Sequence, residues 1–256
     1  MLASGASRSG LSATDVVLSV PADFVTVVNK VRPSVVEITT STGLGSGVVY
    51  DDNGDIATND HVVGTARYFQ VSFFDGRVAI ASLVGAFPPD DLAAIRVHAI
   101  TRPHSAVFAN SSQLRVGDID LAIGDPLGLA SSVTEGIVGF TGRTVGEGNG
   151  VVLPDTIQTS AAIHPGNSGG AFVDTQGRVI GIPTLAATDP ELGGSAANGI
   201  GLAIPSKTVE LVAPQLITAG RVAQSGWGDL GISGATALNP AASRPVLARG
   251  PIESLE

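Results

Sequence analysis

Ser168 lies in the run Gly166-Asn167-Ser168-Gly169-Gly170. A nucleophilic hydroxyl needs such surroundings: its Oγ must stand clear of neighbouring side chains, and backbone N–H groups must turn toward one point to hold an oxyanion. Glycine permits the turn because it carries no Cβ. A tight turn between strands has the same composition, so the serine must be judged by its partners. Acyl transfer at serine requires a base to take the proton and a carboxylate to orient that base.

The chain has four histidines, His61, His98, His104 and His164, and all precede Ser168. The run also fits the G-x-S-x-G elbow of α/β-hydrolases, but there the histidine follows the serine, and here none does. The order His, Asp, Ser is the chymotrypsin-like one. His61 sits in Thr58-Asn59-Asp60-His61-Val62-Val63, and Asp91 heads the alternating run Asp91-Leu92-Ala93-Ala94-Ile95-Arg96-Val97. Asp90 competes with Asp91 as the orienting carboxylate, and alternation favours Asp91 modestly. His98 and His104 fall in or near a stretch without strand pattern, and His164 stands too near the serine along a tight loop to approach from a base's side. No H-x-x-x-H spacing or cysteine is present, so a metal site is unsupported and no cofactor is expected.

These residues need a frame of short strands. The spacing of Phe24, Val27, Val28 and Val31 predicts one amphipathic helix from Asp23 to Val31, ended by Pro33. Strand-like runs follow at 35–38, in a hairpin over 47–58 around Asp51-Asp52-Asn53-Gly54, and at 68–74, 78–85 and 92–98. The stretch 100–112, with Pro103, suits a linker between two similar β units. A second series is expected at 118–124, 133–141, 151–159, 170–174, 178–183 and 198–204. A helix from Lys207 to Ala219 should end at Gly220, with Pro214 kinking or splitting it.

With 256 residues, 14% charged, the chain is long enough for a large core. A net charge of −9 without a basic patch argues against nucleic acid as a partner. No apolar stretch is long enough for a membrane span, and the first ten residues lack the apolar core of a signal peptide.

Several runs together resemble the HtrA/DegP family of trypsin-like serine proteases. They are Gly43-Leu44-Gly45-Ser46-Gly47-Val48-Val49, the His61 and Asp91 runs, Gly117-Asp118-Ile119-Asp120-Leu121-Ala122-Ile123-Gly124-Asp125-Pro126, and Val133-Thr134-Glu135-Gly136-Ile137-Val138. Ile157-Gln158-Thr159, the Ser168 run and Gly199-Ile200-Gly201-Leu202-Ala203-Ile204-Pro205 complete the set, in the family's order. The resemblance implies an all-β fold of two six-stranded antiparallel barrels with the site between them. It makes His61 the general base, Asp91 its orienting acid and Ser168 the nucleophile. The N–H groups of Ser168 and Gly166 would form the oxyanion hole, with Asn167 shaping the loop between them. By this reading 1–22 is a flexible segment, 23–220 the protease domain (barrels about 34–104 and 112–205), and 221–256 a tail. The partners implied are polypeptides, unfolded or misfolded ones above all. A homotrimer joined around Phe24 and an extracytoplasmic location are further implications.

In trypsin-like enzymes the residue six before the serine sits at the base of the S1 pocket; here it is Ala162. With Ile163 and Leu185 it implies a small apolar pocket and cleavage after Val, Ala or Leu, unless these apolar residues are mainly core. Ser160 and His164 replace the family's usual Asp and Asn beside the nucleophile, and Asp125-Pro126-Leu127-Gly128 replaces the common Asn-Pro-Phe-Gly. These departures keep open a second reading, a weakly active or inactive chaperone-like, peptide-binding module on the same barrels. Gly228-Asp229-Leu230-Gly231-Ile232 resembles the start of a PDZ domain, but too few residues follow for a whole one.

Overall fold

The computed structural model describes residues 24–41, 43–98, 103–124, 132–146, 152–164, 166–184, 188–189, 195–196 and 199–226. The first barrel consists of β1 (Val35–Thr39), β2 (Leu44–Val49), β3 (Asp55–Thr58), β4 (Tyr68–Phe73), β5 (Val78–Phe87) and β6 (Leu92–Val97). They close in the order β1-β2-β3-β6-β5-β4, every pairing antiparallel. The Asp51–Gly54 turn that joins β2 to β3 is held by the Asp51 carboxylate, which accepts the N–H groups of Asn53 and Asp55. Val36, Ile38, Val71, Phe73 and Ile95 point inward to fill this barrel.

The second barrel repeats the plan with β7 (Ile119–Gly124), β8 (Ser132–Gly146), β9 (Val152–Thr159), β10 (Ala171–Asp174), β11 (Val179–Pro183) and β14 (Gly201–Pro205). Its closed order is β10-β11-β14-β9-β8-β7. A separate two-stranded ladder joins β12 (Thr188–Asp189) to β13 (Ser195–Ala196). β8 runs further than the expected 133–141, because three register shifts against β9 let it bend and continue.

Because side chains alternate across a strand, the faces turned out of the barrels supply the seam between them. Val35 and Val48 from the first barrel meet Leu121, Ile123, Ala171, Val173 and Val179 from the second. Helix α1, over 24–31, covers that seam with Val27 and Val31. Helix α3 (Ser206–Ala219) covers another part, burying Val209, Val212, Ala213 and Leu216 against Ala57, Leu92 and Ala94 of the first barrel and Ile182 and Ile204 of the second. Burial of each such Val or Leu is worth roughly 1.5–3 kcal/mol. Between the barrels, 103–118 contains a short 3-10 turn, Ser111–Gln113, and an isolated bridge from Phe108 to Val179 of the second barrel.

Pro214 neither splits nor ends α3. It removes a donor to the carbonyl of Glu210, an exposed residue on the solvent side, while the buried side chains hold the other face. Gly220 ends the helix at φ 67, its N–H on the Leu216 carbonyl. The last strand begins at Gly201 rather than at 198.

Candidate active site

The single turn α2 (Asp60–Val63) carries His61 directly after β3. Asn59 precedes it without capping it; its Nδ2 donates instead to the Asp91 carbonyl at 3.0 Å, which also accepts the Asp60 N–H at 3.2 Å. Pro88 and Pro89 open a 3-10 turn whose last step places Asp91 at φ 49, a left-handed conformation that aspartate tolerates better than most residues. The two loops are thereby clamped together, and it is Asp91 whose carboxylate meets His61.

That carboxylate is only 3% exposed. It accepts the His61 N–H at 2.9 Å, and His61 Nδ1 lies 2.8 Å from Oδ2 and 3.0 Å from Oδ1. Two acceptor oxygens facing Nδ1 assign the proton there, which leaves Nε2 as the acceptor of the ring. A third donor comes from the other barrel: Thr184 Oγ1 donates to Asp91 Oδ2 at 2.7 Å. Asp60, beside His61, has its carboxyl held above the usual range, first by burial and then by the Asp91 charge.

Ser168 is 7% exposed, and its Oγ donates to the Thr184 carbonyl at 3.3 Å, a long bond. One residue, Thr184, therefore touches both the serine and the aspartate. The loop around Ser168 is pinned by its carbonyls. Ser46 N–H donates to Ser168 O at 2.8 Å, Ser46 Oγ donates to Gly166 O, and Thr58 Oγ1 fixes Ser46 by donating to its carbonyl. Gly170 N–H occupies the Asn167 carbonyl at 3.0 Å. A peptide's N–H points opposite its C=O, so the Ser168 N–H is turned away from Gly170, and among the described residues it meets no acceptor. The peptide bearing the Gly166 N–H begins at Pro165, outside the described residues. Gly169 has φ +83, and a Cβ there would lie 2.1 Å from the Ser46 carbonyl, so only glycine fits. Asn167 is wholly buried, and its amide meets no hydrogen-bond partner among the described residues.

Of the expected pocket residues, Ala162 is exposed, and its carbonyl accepts from Thr134 Oγ1 at 2.8 Å. Ile163 is buried and packs with Ala122, Val138, Phe172 and Ile180 in the second-barrel core, where apolar residues were expected if they were not pocket lining. Leu185 lies outside the described residues, as do 125–128 and Gly228-Asp229-Leu230. Ser160 and His164 are exposed. Ser160 still ties the loop down, exchanging a bond with Ile137 through its N–H and accepting the Ile137 N–H on its Oγ. The His164 carbonyl accepts the Asn167 N–H at 3.0 Å. His98 meets Ser82 Oγ on the surface. Among the described residues no group of three or more His, Cys, Asp or Glu is arranged for a metal ion, and no helix is long and apolar enough to cross a membrane.

Sequence reasoning missed Thr184, Ser46 and Thr58. The signal for Thr184 lay in chemistry rather than spacing: a buried carboxylate needs more donors than one imidazole supplies.

A family model described as a trypsin-like peptidase domain matches residues 45–182. The chain is 39% identical over 228 residues to the serine protease PepD of Mycobacterium tuberculosis, an alignment that covers 81% of this chain and 49% of that protein. It is 44% identical over 197 residues to the periplasmic serine endoprotease DegP of Escherichia coli, covering 77% and 40%. The solved structure of the HtrA-type protease AlgW with a tripeptide superposes with a TM-score of 0.69 at 39% identity, over 78% of this chain and 65% of that one. The chain thus spans at most about half the length of the curated relatives it matches.

Proposed function

Since this chain belongs to the trypsin-like peptidases, in their HtrA/DegP branch, we propose that it is a serine endopeptidase in which His61, Asp91 and Ser168 carry the reaction. The observation that carries this reading is the Asp91 carboxylate, buried against His61 Nδ1 and tied through Thr184 to the serine. His61 Nε2 takes the Ser168 proton as Oγ attacks the scissile carbonyl carbon. The carbonyl π pair moves onto oxygen, and the oxyanion is met by the N–H groups of Ser168 and Gly166. Collapse expels the amine, which receives that proton from His61, and leaves an acyl-serine; water repeats the cycle with His61 as base. Asp91 keeps its own charge throughout and stabilises the imidazolium.

The substrates are polypeptides, unfolded ones by analogy with the family, cleaved after Val, Ala or Leu in a pocket with Ala162 at its base and no charge from that residue. The peptidase unit is 23–220, with barrels about 34–104 and 112–205. The relatives named as periplasmic support an extracytoplasmic site of action, and the half-buried Phe24 beside the seam is the place for a trimer contact.

Ser160 and His164, in place of the family's usual Asp and Asn beside the nucleophile, favour one other reading, a peptide-binding module whose site stays idle. A fluorophosphonate probe with Ser168→Ala as control separates the two. The peptidase reading expects labelling of the wild-type chain only, together with cleavage of casein and of peptides with Val at P1. Absence of Ser168-dependent labelling overturns it, and preference for Arg at P1 overturns the pocket assignment.

A further inference from the structure

Asp120 is 0% exposed inside the second barrel. It lies on β7 two residues before Ala122, so its side chain shares the inward face with the core of Ala122, Val138, Ile157 and Phe172. Both carboxyl oxygens lie 2.8 Å from Thr159 Oγ1, which donates to them. The same Thr159 oxygen accepts the Ala161 N–H at 2.9 Å. Ala161 opens the segment that leads from β9 to Ser168. This segment packs directly over Asp120: Gly136 is Asp120's cross-strand partner, and a Cβ on Gly136 would lie 2.2 Å from Ala161 N. We propose that Asp120 is a positioning residue for the nucleophile loop, holding the Ala161 end through Thr159 while it carries a proton and releasing it when ionised. This rests on the peptidase reading for its kinetic half.

The physical reason is donor supply. An ionised carboxylate has room for about four hydrogen bonds, whereas among the described residues Asp120 meets one donor, Thr159, and no cation. The charged side chains of the surrounding strands are turned elsewhere. Glu135 on β8 is exposed on the opposite face, beside Leu121, and Arg143 lies over the Phe140 ring. Asp155 on β9 pairs with Lys207, Asp174 on β10 with Arg178, and Asp118 before β7 with Arg115. β11 and β14 carry no charge. Burial pushes the Asp120 carboxyl up to about 7, against the smaller effect of the Thr159 bond. An ionised Asp120 gains water only if something over it lifts, and the 160–164 segment, with Ser160, Ala162 and His164 already in solvent, is what can lift. Removal of the carboxyl proton breaks one O–H bond and releases one proton to solvent.

The test is Asp120→Asn, which keeps the shape and cannot ionise. Two readouts are taken between pH 6 and 8.5: kcat/KM on a Val-P1 peptide, and hydrogen exchange of the Ala161 amide corrected for intrinsic rate. In the wild type, Ala161 protection should fall at least tenfold over this range, and kcat/KM should bend downward toward pH 8.5. In Asp120→Asn protection should stay flat, and the ratio of kcat/KM at pH 8.5 to that at pH 6.5 should rise at least threefold. Flat Ala161 protection in the wild type overturns the proposal, as does an unchanged kcat/KM ratio in a variant that unfolds at the wild-type temperature. An inactive chain whose Ala161 amide still loosens with pH overturns the peptidase reading and upholds the Asp120 hold on the loop. If Asp120→Asn fails to fold, Thr159→Val cuts the link between the carboxyl and Ala161. It should abolish the pH dependence of Ala161 exchange; persistence of that dependence overturns the proposal.

Discussion

Thr184→Val asks how far the site depends on a bond between the barrels. Thr184 is fully buried, and its Oγ1 donates to Asp91 Oδ2 at 2.7 Å, while His61 supplies the carboxylate's other donors. Valine matches threonine closely in volume, so the change removes the hydroxyl and leaves the Thr184 backbone carbonyl with Ser168. A buried hydrogen bond to a charged group is worth about 1.5–3 kcal/mol. Only the part that grows in the transition state slows the reaction. On the proposed mechanism that part is substantial, because an imidazolium forming on His61 would depend on the placement of Asp91. An expected loss of about 1.4 kcal/mol or more corresponds to roughly tenfold or more in kcat/KM. The loss should fall on kcat, with KM within about twofold, since the Thr184 hydroxyl is occupied by Asp91 and not by substrate. The assay is steady-state cleavage of a fluorogenic Val-P1 peptide, with unfolding temperature measured in parallel. Thr184→Ser should recover most of the rate. The reasoning is refuted if Thr184→Val keeps kcat/KM within twofold of wild type, or if Thr184→Ser is as slow as Thr184→Val, which would make the methyl group the important part.

Gly169→Ala should cost about 3 kcal/mol or more in urea unfolding and abolish fluorophosphonate labelling, because its Cβ would enter the Ser46 carbonyl at a positive φ. Gly76→Ala, with a similar φ but open space around it, should cost about 1 kcal/mol and leave labelling intact. Arg96 makes a two-pronged bond to the fully buried Asp55, with Nε to Oδ1 at 2.7 Å and Nη2 to Oδ2 at 2.8 Å. Arg96→Ala, which strands that carboxylate, should cost about 3 kcal/mol, and Asp55→Asn, which leaves a solvent-reaching arginine, about 1 kcal/mol in the same assay. The Asp120 carboxyl, raised from 3.8 to about 7, also sets a stability trend. Between those pH values the unfolded chain gives up its proton while the folded chain keeps it, so stability falls as pH rises, by roughly 4 kcal/mol at most. Unfolding of Asp120→Asn at pH 5 and pH 8 should lack this component of the wild-type difference.

The amino-acid order was enough to identify the strands, because alternation and turn chemistry are local. Val35-Val36-Glu37-Ile38 already reads as a strand, and Asp51-Asp52-Asn53-Gly54 already bends the chain. Inventory was also enough to set aside the α/β-hydrolase order, since no histidine follows Ser168, and the runs around His61 and Asp91 then pointed to that pair. A split at Pro214 and the shorter β8 were misjudged for the opposite reason: tertiary packing along α3 and bulges against β9 outweighed local preference. Alternation is a weak guide between Asp90 and Asp91, because a left-handed residue at 91 lies outside any strand period. Contacts between the barrels were invisible altogether. Nothing local tells Thr184 that Asp91 is its acceptor, or Ser46 that its neighbours are the carbonyls of Gly166 and Ser168. Asp120 lay inside the Gly117–Pro126 run with no role attached to it, and its meaning comes from being enclosed with one donor among the described residues. The sequence by itself determined which groups can do chemistry and which strands must carry them. Only the tertiary structure decided which groups meet across the seam and which carboxyl is cut off from water, since both follow from long-range closure of the barrels.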